Sequence, residues 1–278
     1  MSAEPSNRWI LAARPHTLPA AVAPVLVGTG LAVRDGAFRW DVLLITLVAA
    51  LAIQVGVNIA NDVADATKGA DTDERIGPTR AVASGLTTPR EMWIAIGVVF
   101  GFAALCGVYL AFVAGPVIIL IGVASLIAAL GYTNGPIPYG YYGLGEVFVF
   151  VFFGLVATVG TRFAYSGSIG TGAWDGGVIM GLLASAILVA NNIRDVDTDR
   201  IAGKRTLAVI FGRPRTRILY TLMMLAPFAV TGLAVAADRF PALALIAFAA
   251  VPLTIPPIRA VLTKEAGPPL IAALKATG

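Results

Sequence analysis

Half of the acidic residues in this chain, eight of sixteen, fall within two short windows. Asp62, Asp65, Asp71, Asp73 and Glu74 occupy the first, and Asp195, Asp197 and Asp199 the second. Like charges this close repel one another, so each window needs a counter-charge. Asn58, Asn61, Asp62 and Asp65 stand at i, i+3, i+4 and i+7, and a helix continuing through them aligns all four on one face. Asn192, Asp195 and Asp199 repeat the pattern at i, i+3 and i+7, and Asn58-x-x-x-Asp62 is echoed by Asn191-x-x-x-Asp195. Hard oxygen donors of this kind suit Mg²⁺, which takes one or two carboxylates with water and substrate phosphate oxygens rather than an all-protein cage. A phosphorylated substrate is the expectation that follows. Lys68, Arg80, Lys204 and Arg205 flank the windows with cations suited to phosphate oxygens, the arginines in a bidentate fork. The plainer reading of each cation is a loop charge paired with a nearby acid, and that reading does not account for a doubled acid cluster.

The elements that must position these residues are membrane helices. Of 278 residues, 58% are hydrophobic and only 13% charged, with a mean hydropathy of +0.83; soluble domains carry about 25% charge, so a soluble globule is excluded. Apolar runs lie at 18–33, 42–61, 92–114, 116–132, 144–163, 175–193, 217–237 and 241–262. They are continuous and lack strand alternation, which predicts eight transmembrane helices and not a barrel. Gly115-Pro116 breaks the long run from Met92 to Tyr132 into two helices with a tight turn, and Pro19 and Pro24 predict a kinked or tilted first span. The single cysteine, Cys106, sits inside an apolar run, which excludes a disulfide framework and a thiolate metal site. The N-terminal MSAEPSNRWILAARPHTLP lacks the features of a removable signal peptide.

Sixteen of the twenty Lys and Arg residues fall on one side when alternate connections are counted. The positive-inside rule makes that side cytoplasmic, with the N-terminus and both acid-bearing loops, 62–91 and 194–216, facing the same way. It also accounts for the net charge of +4 without nucleic acid. The chain reads as one domain, 1–278, in a multi-pass protein of the plasma membrane. Its two acid sets, four spans apart, imply a weak internal repeat.

The run NDVADATKGADTDERIGPTRAVASG resembles the first aspartate-rich motif of the UbiA superfamily of intramembrane prenyltransferases, and NNIRDVDTDRIAGKRTLAV resembles the second. In the family pattern N-D-x-x-D-x-x-x-D, Asn61, Asp62 and Asp65 match, while the last position is Gly69, with Asp71 two residues on. The resulting D-x-x-x-G-x-D-T is similar to the 1,4-dihydroxy-2-naphthoate polyprenyltransferase branch of menaquinone synthesis. ARPHTLPAAVAPVLVGT, GYTNGPIPYGYYGLGEVFVFVFFG and AGKRTLAV are also like that branch. The superfamily has nine transmembrane helices, and PPLIAALKATG stands where the ninth would begin, so the resemblance implies eight clear helices and a ninth cut short.

The resemblance implies that Asp62, Asp65, Asp195 and Asp199 hold two Mg²⁺ ions that bind the diphosphate of a polyprenyl donor, with Lys68, Arg80 and Lys204 neutralising the leaving group. Asn58, Asn61 and Asn192 would support the carboxylates or bind metal-bound water, and Asp71 would add to the substrate site. An allylic cation develops, the naphthoate ring attacks, carbon dioxide is lost and demethylmenaquinone results. Tyr132, Tyr139 or Tyr142 is expected either to shield the cation with its ring face or to serve as an interfacial anchor. Glu146, opening an uncharged run, engages the acceptor's hydroxyls or its proton, or else answers a buried partner. His16 reads as an interfacial polar residue, and the Phe-rich run 148–153 as prenyl-channel lining or lipid-facing packing. A relative acting on 4-hydroxybenzoate or homogentisate is the nearest alternative. A transporter would carry its binding groups near mid-span, whereas these acids gather at one surface.

Overall fold

The computed structural model describes residues 7–67, 81–135, 138–263 and 268–278, and each of the eight apolar runs folds as helix. In chain order the elements are α1 (Arg8–Ala13), α2 (Pro19–Arg34), α3 (Trp40–Thr67), α4 (Pro89–Ala114), α5 (Val117–Gly131), α6 (Gly145–Val149), α7 (Ala157–Ser166), α8 (Ala173–Ile201), α9 (Leu207–Ala236), α10 (Val251–Thr263) and α11 (Pro268–Thr277). A π-helical stretch, Phe150–Val156, joins α6 to α7, and a 3-10 stretch, Ala242–Ala250, leads into α10.

Six of the segments are long and apolar enough to cross a membrane: α3, α4, Gly145–Ser166, α8, α9 and Ala242–Thr263. The bent pair Arg8–Thr17 and Pro19–Arg34 makes up to seven, and α5 is shorter. At 15 residues and 1.5 Å per residue, α5 spans about 22 Å against a hydrocarbon core of about 30 Å. The expected eight spans therefore become six of full length, one bent pair and one short helix. The bend in the first span is 49° and falls between Thr17 and Pro19, while Pro24 sits within α2; Arg14, in the left-handed region at φ 51°, ends α1. Gly115, at φ 97°, makes the turn between α4 and α5.

All four tryptophans are exposed and stand at helix ends. Trp9 and Trp93 lie at the end of the bundle that carries the acids, and Trp40 and Trp174 begin α3 and α8 at the other, the placement of interfacial anchors on both membrane faces. Between these belts Phe112, Leu105, Leu120 and Ile246 are turned outward, as a lipid-facing surface requires.

The interior is divided. Val189, Ile193, Tyr220, Met224, Val261 and Leu270 form one cluster that joins α8 to α9, α10 and α11. Ile59, Val63, Met92, Ile96 and Phe100 form another around α3 and α4. Backbone approaches tie the halves together. A Cβ on Gly154 would lie 2.5 Å from the Gly177 carbonyl oxygen and closer still to the Gly181 Cα, so the backbones of α8 and the π-helical stretch approach each other glycine to glycine. At the end away from the acids, the buried Arg162 pairs with Asp35 at 2.6 Å and donates to Ser166 at 2.8 Å. A guanidinium inside an apolar bundle needs such partners.

Candidate active site

α3 is 28 residues long, about 42 Å at 1.5 Å per residue, and outruns its apolar stretch by carrying Asp62 and Asp65 on its last turns. α8, at 29 residues, does the same with Asp195 and Asp199. The helical continuation expected from the i, i+4, i+7 spacing is thus present at both sets. Asp62, Asp65 and Asp199 are all buried, whereas Asp197, off the shared face, has a largely exposed side chain and pairs with Arg213 at 2.8 Å.

The two acid-bearing ends meet through Lys204. Its ammonium lies 3.5 Å from the Asp65 carboxylate and 4.9 Å from the centroid of the Tyr141 ring, while its backbone N–H donates to the Asp199 carbonyl at 2.8 Å. Tyr141 completes the bridge: its hydroxyl donates to Asp65 at 3.3 Å, and its carbonyl accepts from the Arg205 N–H at 2.9 Å. Asp199 lies within electrostatic reach of Lys204, Asp195, Asp65 and Arg194. Asp195 is gripped by the buried Arg194 through Nε and Nη2, both at 2.6 Å, and Arg194 also donates to Asn191 at 2.7 Å. Asp62 accepts the Ala81 and Val82 backbone N–H groups at 3.0 and 3.2 Å, one on each oxygen, which leaves each oxygen a further lone pair.

This donor set fits Mg²⁺ in kind: every acid in it is a carboxylate, and no His or Cys competes. Among the described residues no three such groups form a cage.

The remaining candidates have specific partners. Glu146 is buried and accepts from the Asn192 Nδ2 at 2.9 Å, so both readings of Glu146, acceptor contact and buried partner, retain a basis. Asn61 accepts from the Thr133 hydroxyl at 2.8 Å. Asn58 donates to the Ala13 carbonyl and to the Thr17 hydroxyl oxygen, both at 2.8 Å, holding the break between α1 and α2. Neither of these two asparagines is bonded to a carboxylate. Tyr132 meets Tyr139 edge-on at 5.4 Å, and Tyr139 stacks on Phe148 at 3.8 Å. The Tyr139 hydroxyl donates to the Ala128 carbonyl at 2.6 Å, and burial pushes this phenol up, so it stays neutral. Tyr142 is exposed. Lys68, Asp71 and Arg80 lie outside the described residues. Of the residues missed in the sequence, Arg194 sits within the second motif, whereas Thr133 and Tyr141 lie in the central 131–154 segment, and their polarity next to apolar runs was the available signal.

Behind the acids is a cavity of about 340 Å³. It follows α3 from Asn61 to Thr46, about 22 Å of helix. Phe148, Phe152 and Phe153 line it, with Tyr132, Tyr139 and Ile121, which assigns most of the Phe-rich run to the cavity rather than to lipid. Phe150 instead packs against Gly181.

A model of the UbiA prenyltransferase family matches residues 21–270. The chain is 42% identical over 241 residues to the 1,4-dihydroxy-2-naphthoate octaprenyltransferase of Mycobacterium tuberculosis, covering 82% of each chain. To the protein of the same name from Mycobacterium leprae it is 41% identical over 274 residues, 98% of this chain and 91% of the relative. To that of Escherichia coli it is 37% identical over 226 residues, 79% and 73% of the two chains. Among solved structures, a UbiA homolog from Aeropyrum pernix K1 superposes with a TM-score of 0.68 at 18% identity, covering 94% of this chain and 93% of the other. A UbiA homolog from Archaeoglobus fulgidus bound to GPP and Mg²⁺ superposes with a TM-score of 0.65 at 13% identity, covering 96% and 86%. These two likenesses are of fold.

Proposed function

The chain belongs to the UbiA prenyltransferase family, and from that premise we propose that it transfers a polyprenyl group from polyprenyl diphosphate to 1,4-dihydroxy-2-naphthoate. The observation that carries this reading is the meeting of the two acid sets at Lys204, through Asp65 of one and Asp199 of the other, at the head of a largely apolar cavity. It supplies a place for a diphosphate and, behind it, room for a hydrocarbon tail. The acceptor is drawn from the relatives named for it, which are 37–42% identical over most of their lengths.

Asp62, Asp65, Asp195 and Asp199 are the residues that would hold Mg²⁺, two ions in this reading; bound there, it neutralises the diphosphate and stabilises it as a leaving group. Lys204 adds a fixed positive charge on the same side. The tail lies along Phe148 and Phe152, whose ring faces, with Tyr132, stand beside the first prenyl carbon as positive charge develops. The carbon–oxygen bond breaks with its electron pair leaving on diphosphate. A ring carbon of the acceptor supplies the pair for the new carbon–carbon bond, and the carboxylate carbon departs as carbon dioxide, returning its pair to the ring. The product forms at the quinol level of demethylmenaquinone. Glu146, with one oxygen held by Asn192, takes a hydrogen bond from an acceptor hydroxyl. Lys68, Asp71 and Arg80 belong to the same site in this reading, from the cap loop.

We read the bent pair and α5 as the seventh and eighth membrane segments, and the acid-bearing face as cytoplasmic in the plasma membrane, on the bias of basic residues. The test incubates purified protein with a polyprenyl diphosphate and 1,4-dihydroxy-2-naphthoate, with and without EDTA, and follows prenylated product and released carbon dioxide. Product and carbon dioxide in equal amounts, lost with EDTA and restored by Mg²⁺, are expected. Transfer to 4-hydroxybenzoate or homogentisate in preference would move the chain to another branch, and no metal-dependent product with any donor length would end the proposal.

A further inference from the structure

Gln54 is a buried polar residue two turns of α3 behind Asp62, about 12 Å along the helix, and it lines the apolar cavity. Its amide is oriented by Thr17. The Thr17 hydroxyl donates to the Arg14 carbonyl at 2.9 Å, so its oxygen is left only to accept, and it accepts from the Gln54 Nε2 at 3.1 Å and the Asn58 Nδ2 at 2.8 Å. Flipping the Gln54 amide would set two acceptors against each other. The hydrogen-bond directions therefore fix Nε2 on Thr17 and leave Oε1 as the other edge. That oxygen is buried and has no hydrogen-bond partner, which is costly for an amide carbonyl unless a ligand supplies the donor.

Resting on the acceptor reading above, we propose that Gln54, held by Thr17, is a specificity-determining residue that accepts a hydrogen bond from a phenolic hydroxyl of the aromatic acceptor. An unpaired carbonyl oxygen on the cavity wall selects for an O–H group and rejects the same ring without one, because its oxygen then stays unpaired. The prenyl tail has no donor to offer, so the preference acts on the acceptor alone. Asn58, one turn nearer the acids, is turned the same way through its own Nδ2. The two amides thus present to the cavity a polar step about one aromatic ring long, 5–6 Å between neighbouring turns.

The test needs no turnover. 1,4-Dihydroxy-2-naphthoate and its dimethyl ether are titrated in the absence of donor into detergent-purified wild type, Gln54→Leu, Thr17→Val and Thr17→Ser, with binding followed by calorimetry. Wild type is expected to bind the dihydroxy compound about tenfold more tightly than the ether. Gln54→Leu should lose most of that preference, Thr17→Val should weaken it, and Thr17→Ser should keep it. Equal preference in wild type and Gln54→Leu overturns the role of Gln54 and leaves the acceptor assignment standing. If Gln54→Leu does not fold, an undiminished preference in Thr17→Val or no preference in wild type overturns it equally. No binding of 1,4-dihydroxy-2-naphthoate to wild type overturns both.

Discussion

Asp65→Asn is expected to lower kcat by about 10²–10³-fold, the range seen when a group stabilising a charged leaving or developing centre is removed, with a smaller fall in melting temperature than Asp195→Asn because Lys204 is partly exposed. The substitution is isosteric and still accepts from Tyr141, while the charge facing Lys204 is lost. Asp195→Asn should lose activity by a similar factor, but it also strips the buried Arg194 of its counter-charge, and breaking such a pair costs about 3–5 kcal/mol. The double variant Arg194→Met with Asp195→Asn separates the two effects. It should regain stability and remain inactive. Recovery of turnover in the double variant would reduce Asp195 to a partner of Arg194, and wild-type kcat in Asp65→Asn would take that residue out of the site.

Gly154→Ala is expected to destabilise the protein by about 3 kcal/mol, at the upper end for overpacking. The added methyl meets backbone of Gly177 and Gly181, which cannot rotate away as a side chain can, so α8 must move. Activity should fall with stability because α8 carries Asp195, Asp199 and Asn192. Gly97→Ala and Gly101→Ala on α4, where a Cβ meets nothing within 4 Å, are the controls and should be neutral or stabilising by about 0.5–1 kcal/mol. Thermal unfolding in detergent measures all three, and a melting temperature for Gly154→Ala equal to that of the α4 variants would show that the interface yields.

The membrane helices and both acid sets were legible because each rests on a local signal: unbroken hydropathy for the helices, and i, i+3, i+4, i+7 spacing for Asp62, Asp65, Asp195 and Asp199. What was not legible depends on contacts between distant segments. Nothing near Asn58 in sequence announces that its amide serves Thr17 and Ala13, some forty residues earlier, rather than the neighbouring carboxylates. Tyr141 is one of several tyrosines in a short stretch, and only the return of the 202–206 segment beneath it distinguishes it from the exposed Tyr142. Gln54 carries no motif at all; its interest comes from an unfilled bond. The bend of the first span was legible as well, because it falls immediately before Pro19, which opens α2 where its missing N–H costs nothing.

The π-helical stretch Phe150–Val156 makes its span tolerant of one particular change of length. A π turn accommodates a residue more than an α turn does, and each residue of an α-helix advances the side chains by about 100°. Deleting one residue between 150 and 156 would thus let the stretch return to α-helix with its two ends still in phase, Glu146 on Asn192 and Phe148 on the cavity. The same deletion within α7 has no surplus residue to absorb it and would turn everything on one side of the gap by about 100°. Tolerance of a gap in this span is consequently set by where the surplus residue sits, a variable that hydropathy does not register.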